Sequence, residues 1–313
     1  MATMKTLNGY GFNATELNGK TSDNYLLRTD TASDSAKLGG KAPEYYIQPR
    51  NLLDNSDFRN PVNQRGFVNG NAVEPYNYFI DRWISGESSI NPSLNNNGIM
   101  PNGAFFQRLD NLSTYIGRNM TFAIGLSSGD IVVASGTLTD VTDSDIIIFD
   151  TTDGQNEITV RSAGGMWYVW INYPSSTIQW AALYEGSYTA DTLPPYVPKG
   201  YTAELAECQR YYYQSFSGSN ASEWDGAIIR EAVSTTRIAD VSFPQTMRIE
   251  KPTITLYSPV SGNVNKISEY LSDTEVDAKA GYRSRYRFML VSAASALETG
   301  KHYCMHYTVS ADL

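Results

Sequence analysis

Asp130-Ile-Val-Val-Ala-Ser-Gly-Thr-Leu138, Asp145-Ile-Ile-Ile-Phe-Asp150 and Glu157-Ile-Thr-Val-Arg161 are short runs rich in β-branched residues, and Asp153-Gly154 separates the last two. Valine, isoleucine and threonine suit a pleated, half-buried surface better than a helix, because branching at Cβ restricts χ1 against the preceding helical turn. Asp-Gly readily takes the positive φ that a type I′ turn requires, so residues 145–161 predict a β-hairpin. Gly165-Met-Trp-Tyr-Val-Trp-Ile-Asn-Tyr173 continues in the same style. Outward from this hairpin, Asn51 to Pro198 reads as short strands between turn residues, the pattern of a β-sandwich.

Leu193-Pro-Pro-Tyr-Val-Pro198 predicts a stiff linker, since proline fixes φ and cannot donate to a ladder. A short helix is expected after it, capped by Thr202, with Leu205, Cys208 and Tyr212 on one face. Residues 227–313 return to strand-like text. Near the end, Tyr303, Met305, Tyr307 and Val309 alternate with His302, Cys304, His306 and Thr308, which predicts one core face and one open face. At the other end, Leu17-Asn-Gly-Lys-Thr-Ser-Asp-Asn-Tyr-Leu26 recurs as Leu38-Gly-Gly-Lys-Ala-Pro-Glu-Tyr-Tyr-Ile47. Units this poor in apolar side chains cannot bury a core alone, so neighbouring subunits are expected to cover them. The expected organisation is all-β: an N-terminal attachment arm over 1–50, a sandwich over 51–198, and a helical connector with a distal β-domain over 199–313.

The 313 residues include 24 Lys and Arg against 33 Asp and Glu, a formal net charge of −9 that disfavours a general nucleic-acid or anionic-membrane binder. No run approaches the ~20 apolar residues of a membrane span, and the first residues lack the apolar stretch of a signal peptide, so synthesis in a cytoplasm is expected without membrane insertion. Two cysteines, Cys208 and Cys304, are too few for a disulfide framework and read as packing residues.

Asn51-Leu-Leu-Asp-Asn-Ser-Asp-Phe58, Asn63-Gln-Arg-Gly66 and Phe79-Ile-Asp-Arg-Trp83 resemble the opening of jelly-roll modules in the tail fibres of phages of gut and clostridial bacteria. Ala181-Ala-Leu-Tyr-Glu-Gly186 is similar to the closing strand of such a module, and Glu204-Leu-Ala-Glu-Cys-Gln-Arg-Tyr-Tyr212 to its connector. Phe243-Pro-Gln-Thr-Met-Arg248 with Lys251-Pro-Thr253 resembles the fibre-tip domain that follows, so the resemblance spans most of residues 38–313. It implies a jelly-roll, carbohydrate-binding-module-like sandwich in a homotrimeric, non-enzymatic receptor-binding protein on a virion tail. The arm would join tail or baseplate proteins, and the β-domains would bind bacterial cell-surface polysaccharide or teichoic acid without a cofactor. Arg59 stands where related sugar-binding modules often have an acidic residue that helps hold calcium, so no calcium is expected there. The alternatives are a polysaccharide-degrading tailspike and a purely structural baseplate or fibre-shaft protein.

Several residues invite chemistry. Gly125-Leu-Ser-Ser-Gly129 spells a nucleophile elbow, but a strand rather than a helix follows, so a hairpin turn is expected. Asp140, Asp143, Asp145, Asp150, Asp153 and Glu157 could supply a glycosidase pair, yet most occupy turn positions that aspartate favours for local backbone bonds. His302, Cys304 and His306 share a strand face, which would bind metal only if symmetry copies met there, and no metal is assigned. Sugar binding asks for aromatic rings beside polar groups. Trp83, Trp167 and Trp170 lie in strand text and are read as core, whereas Trp224 with Asp225 sits in a polar loop and is the stacking candidate. Arg283, Arg285 and Arg287 alternate with residues of an apolar face shared by Tyr282, Tyr286, Phe288 and Leu290, and so form a second glycan-binding candidate aimed at phosphate or carboxylate. The competing reading pairs these arginines with acids such as Glu275 and Asp277.

Overall fold

The computed structural model describes residues 16–17, 20–21 and 49–312, except 111, 141–145, 154–155 and 293–295; for 16–17, 20–21, 146–153 and 163 it describes the backbone alone. The chain divides into two compact units, residues 1–48 with 192–195, and residues 49–191 with 196–313. In the first, β1 (Glu16–Leu17) and β2 (Lys20–Thr21) pair antiparallel. The remainder of the 17–47 repeat lies outside the described residues.

The second unit begins with β3 (Tyr78–Ile80), β4 (Trp83–Ser85), β5 (Ser93–Asn95), β6 (Gly98–Met100), β7 (Ala104–Leu109), β8 (Asn119–Leu126) and β9 (Ile131–Thr137). It continues with β10 (Ile146–Asp153), β11 (Asn156–Ala163), β12 (Met166–Asn172) and β13 (Ile178–Glu185). These strands make a six-stranded sheet, β10-β11-β12-β7-β4-β3, and a five-stranded sheet, β5-β6-β13-β8-β9, with antiparallel pairing throughout. The expected hairpin is present: β10 and β11 pair with Asp153 opposite Asn156. The two sheets close over one core, where Phe58 lies 5.1 Å from Trp83 and 5.8 Å from Phe105 by ring centroids. Residues 126–130 form the turn between β8 and β9, with Gly129 N donating to Leu126 O at 3.0 Å, so the elbow spelling leads into a strand.

A second β-portion comprises β14 (Tyr212–Gln214), β15 (Ile228–Ser234), β16 (Arg237–Ser242), β17 (Thr253–Tyr257), β18 (Lys266–Glu269), β19 (Glu275–Asp277), β20 (Lys279–Gly281), β21 (Arg287–Val291) and β22 (His302–Ser310). Its sheet runs β19-β18-β22-β15-β16-β21-β20, with β14 and β17 also paired to β22. Tyr303, Met305, Tyr307 and Val309 enter a separate core, as their alternation predicts. The opposite face is not open at its centre: Cys304 and His306 are both buried as well. The segment from Ser215 to Gly226 covers His306, because Tyr307 N donates to Ser215 Oγ and Phe216 packs edge-on to the His306 ring at 5.5 Å. Both cysteines are free and buried, as expected of packing residues.

Among the described residues one α-helix, α1 (Tyr201–Cys208), joins the two portions. Its N-cap is Gly200 rather than Thr202, because the chain enters the helix at φ +82°, a conformation glycine adopts without strain and threonine does not. Its buried positions are Glu204 and Cys208, while Leu205 is only partly covered. Glu204 is buried for a reason: its Oε2 accepts from Asn55 N at 2.6 Å. Asn55 has φ +52° and is itself fully enclosed. Its Nδ2 donates to Val62 O (2.8 Å) and Asp81 O (2.7 Å), its Oδ1 accepts from Val62 N (2.6 Å), and its carbonyl accepts from Trp83 Nε1 (2.8 Å). Nearby, Arg82 pairs with Asp54 at 3.2 Å and lies 3.4 Å over the Tyr211 ring. Arg65 sits between the Tyr78 and Tyr212 rings at 4.1 and 4.0 Å and grips Asp312 at 2.7 and 2.8 Å. None of the described helices is long and apolar enough to cross a membrane.

Asn55→Ala removes three buried side-chain bonds and leaves Val62 N, Val62 O and Asp81 O without that partner. At roughly 1–3 kcal/mol for each stranded group, the expected loss is about 3 kcal/mol or more, read as a lower urea midpoint. A second test uses pH. Burial raises the Asp81 carboxyl from 3.8 to about 6, with the nearby Arg65 charge and the Gln64 bonds opposing the shift. The folded state therefore holds this proton more tightly than the unfolded one, so its contribution is present below about pH 4 and is lost as pH rises to about 6. Asp81→Asn should flatten that part of the stability curve, and urea melts at pH 4 and pH 7 that give wild type and variant equal slopes would refute it.

Candidate functional site

On β12, Trp167, Val169 and Ile171 point into the sandwich core, so Met166, Tyr168 and Trp170 face the other way. Cross-strand register extends that outer face into two adjacent rows. The first runs Tyr78, Ile84, Phe106, Trp170, Thr159; the second runs Arg108, Tyr168, Arg161. Ile84, Phe106 and Trp170 form a small apolar cluster of their own, joined by Tyr78, Ala104 and Tyr168. Phe106 stacks on Trp170 at 5.8 Å and 16° and tilts against Tyr168 at 5.6 Å. Gly86 makes room for this arrangement, because a Cβ there would stand 2.9 Å from the Trp170 ring and 2.9 Å from Ala104 O.

A groove of about 230 Å³ opens over the cluster. Phe106, Tyr168 and Trp170 line it together with Arg108, Arg161, Tyr76 and Glu87. Arg161 is fixed by bonds from Nε to Thr159 Oγ1 (2.9 Å) and from Nη2 to Glu157 Oε1 (2.8 Å), and its guanidinium stands 4.9 Å over Trp170. Tyr76 is 58% exposed at φ +61°. A bulky residue held in the left-handed region is strained, and such strain concentrates at binding sites. The most pointed feature is Trp170 Nε1, which is buried and has no hydrogen-bond partner among the described residues. An indole N–H left unpaired in a protein wall costs roughly 1–3 kcal/mol.

The residues singled out from sequence are distributed differently. Trp224 is 43% exposed and meets Tyr270 edge-on at 6.2 Å, and Asp225 is exposed beside it, which suits a surface platform. No described contact joins either to the arginines of residues 283–287. The arginine row itself does not form on a strand. β21 starts only at Arg287, because Ser284 Oγ accepts from Tyr286 N and Arg287 N and turns the chain there. Hence Phe288 and Leu290 are buried while Tyr282 and Tyr286 are exposed, and the expected common face is lost. Arg283 donates to Pro252 O at 3.3 Å, Arg285 pairs with Glu250 at 3.0 Å, and Arg287 pairs with Asp240. The acids named for this role have other partners, Glu275 with Ser261 and Asp277 with Lys266.

His302, Cys304 and His306 likewise separate: His302 is exposed, and both ring nitrogens of His306 are engaged, Nδ1 with Ser215 Oγ at 3.1 Å and Nε2 with Glu223 O at 2.6 Å. Burial lowers the His306 pKa, against the opposing effect of the Glu223 carbonyl. In the acidic run, Glu157 is tied to Arg161; Asp143 and Asp145 lie outside the described residues, and of Asp150 and Asp153 only the backbone is described. Trp170 is buried, as its strand text suggested, but in a small cluster of its own on the outer face, and sequence reading missed the groove over it. The available signal was that aromatic residues occupy both alternating faces of 166–172, which one core cannot bury.

The unpaired indole yields a stability prediction. Trp170→Phe keeps an aromatic ring in the cluster and deletes a donor that bonds nothing, whereas Trp83→Phe strands the Asn55 carbonyl. Urea denaturation should show Trp83→Phe costing at least about 1 kcal/mol more than Trp170→Phe; equal costs would mean that the Trp170 N–H has a partner.

The chain matches no family model, no curated protein and no solved structure, so the chemistry of the groove carries the functional reading.

Proposed function

We propose that this chain is a non-enzymatic, homotrimeric receptor-binding protein of a bacteriophage tail fibre, which attaches the virion to bacterial cell-surface polysaccharide through the groove on its six-stranded sheet. The observation that carries the reading is the groove of about 230 Å³ over the aromatic cluster, lined by Phe106, Tyr168 and Trp170 with Arg108 and Arg161 beside them. A sugar ring offers apolar C–H faces to aromatic side chains and oxygen acceptors to N–H donors, which is what this groove supplies. The resemblance of residues 51–58, 63–66 and 79–83 to tail-fibre jelly-roll modules supports the viral setting, with the first ~50 residues as the arm that joins tail or baseplate proteins. Trp224 and Asp225 provide a further exposed contact in the distal portion.

Binding is favoured over cleavage. Glycoside hydrolysis needs two carboxylates across the scissile bond, about 5–9.5 Å apart, and Glu87 is the one acid among the described residues lining the groove. Weak single sites suit a fibre, since three copies on one particle raise avidity through effective concentration.

Purified protein should sediment intact host cells with it and leave non-host cells behind, and Tyr168→Ala and Trp170→Phe should each reduce that adsorption about tenfold or more while melting normally. In the same preparation, light scattering should give three times the 34.7 kDa chain mass, and host wall material should release no reducing ends. Adsorption unchanged in both variants would remove the groove from the reading; a monomer or released reducing ends would remove the trimer or favour the tailspike.

A further inference from the structure

The polar complement of the groove is biased toward donors, and that bias bears on which saccharide it takes. An arginine fork has donors and no acceptor, and the Tyr76 and Tyr168 hydroxyls in the lining can serve either way. Arg161 spends Nε and Nη2 on Thr159 and Glu157, and no described bond occupies its Nη1. Arg108 lies on the other side of Tyr168 in the same cross-strand row, so the two guanidinium-bearing positions stand two strand spacings apart, about 9–10 Å at the backbone. The one acid in the lining, Glu87, is exposed.

Neutral sugar hydroxyls both donate and accept, so the two guanidiniums can use only their oxygens and leave their protons to Glu87 and the tyrosine hydroxyls. A carboxylate or phosphodiester oxygen only accepts, and bonds from a guanidinium to it are about twice as strong as neutral ones. The chain's −9 charge does not prevent this, because fields are screened over ~8 Å and the local groups decide. We infer that the groove selects saccharide polymers bearing an anionic substituent, with Arg161 and Arg108 engaging the anion and Tyr168 packing against the neighbouring ring. The inference rests on the carbohydrate-binding reading above and narrows it to acidic wall polymers.

Calorimetric titration of the wild-type protein with three probes tests it: an oligogalacturonate, its carboxyl-reduced neutral counterpart of equal length, and an oligo(glycerol phosphate). At least one anionic probe should bind about tenfold tighter than the neutral oligosaccharide, and raising NaCl should erase that advantage. The carboxylate and phosphate arms identify which anion is preferred. Arg161→Gln and Arg108→Gln should each weaken the preferred anionic probe about fivefold or more and change the neutral one by less than about twofold. If either variant fails to fold, the wild-type comparison and its salt response still decide. Equal affinity for neutral and anionic probes overturns the inference and leaves carbohydrate binding standing. Binding of none of the three overturns it too, while adsorption to host cells separately decides the broader reading.

Discussion

The arrangement hangs on one buried asparagine. Asn55 holds a left-handed backbone that asparagine tolerates better than most residues, and in exchange its amide satisfies backbone groups on two other segments, at Val62 and Asp81. Its own N–H is capped by Glu204 from the helix, and its carbonyl by the Trp83 indole. Four pieces of chain with no regular hydrogen-bond ladder between them are thereby fixed at one point. Buried backbone must be paired somewhere, and here a single side chain does what a strand would otherwise do. Glu204 accepts a cost for this, since burial raises its pKa against the opposing pull of Lys199.

A second constraint follows from the six-stranded sheet having apolar residues on both faces. The inner face fills the sandwich core, and the outer face carries Ile84, Phe106 and Trp170, which shelter one another with no second layer among the described residues above them. An apolar strip of this kind on a sheet is stable only if its own rings and long side chains cover it, and Arg161 does so by lying over Trp170. The covering is partial on the polar side. The indole nitrogen is removed from water without a hydrogen-bond partner among the described residues.

The text of the sequence was most legible where one side of a strand was decided by a single core. The hairpin at residues 145–161 and the buried set Tyr303, Met305, Tyr307 and Val309 follow from alternation and turn chemistry alone. It was least legible where a second layer intervened. His306 looked solvent-facing because nothing in its neighbourhood announces that Ser215 and Glu223, some ninety residues earlier in the chain, close over it. The strand expected over 282–290 starts late for a local reason, a serine that bonds two successive amides and delays it to Arg287. The helix start shifted from Thr202 to Gly200 because backbone conformation outranked side-chain capping. Trp170 is buried as tryptophan in strand text suggests, yet the register with Phe106 and Thr159 places it in a second cluster on the outer face, which alternation around one core does not announce.

The knot and the groove share material, and this bears on how the groove could bind. Arg82, next to the Asn55 knot, donates to Arg108 O at 2.7 Å, and so holds the strand whose side chains Phe106 and Arg108 line the groove. Tyr78, at the end of the apolar row, lies under Arg65, whose guanidinium is locked to Asp312 at the far end of the chain. The distal portion therefore braces the β3 edge of the sheet whose inner strands β7, β12 and β11 form the floor of the groove. A floor held from behind loses little conformational freedom when a ligand arrives, and weak binders gain most from avoiding that cost. In the proposed trimer, three such grooves would add their modest affinities with little lost to rearrangement, whereas a loop-borne site would surrender part of each contact to ordering.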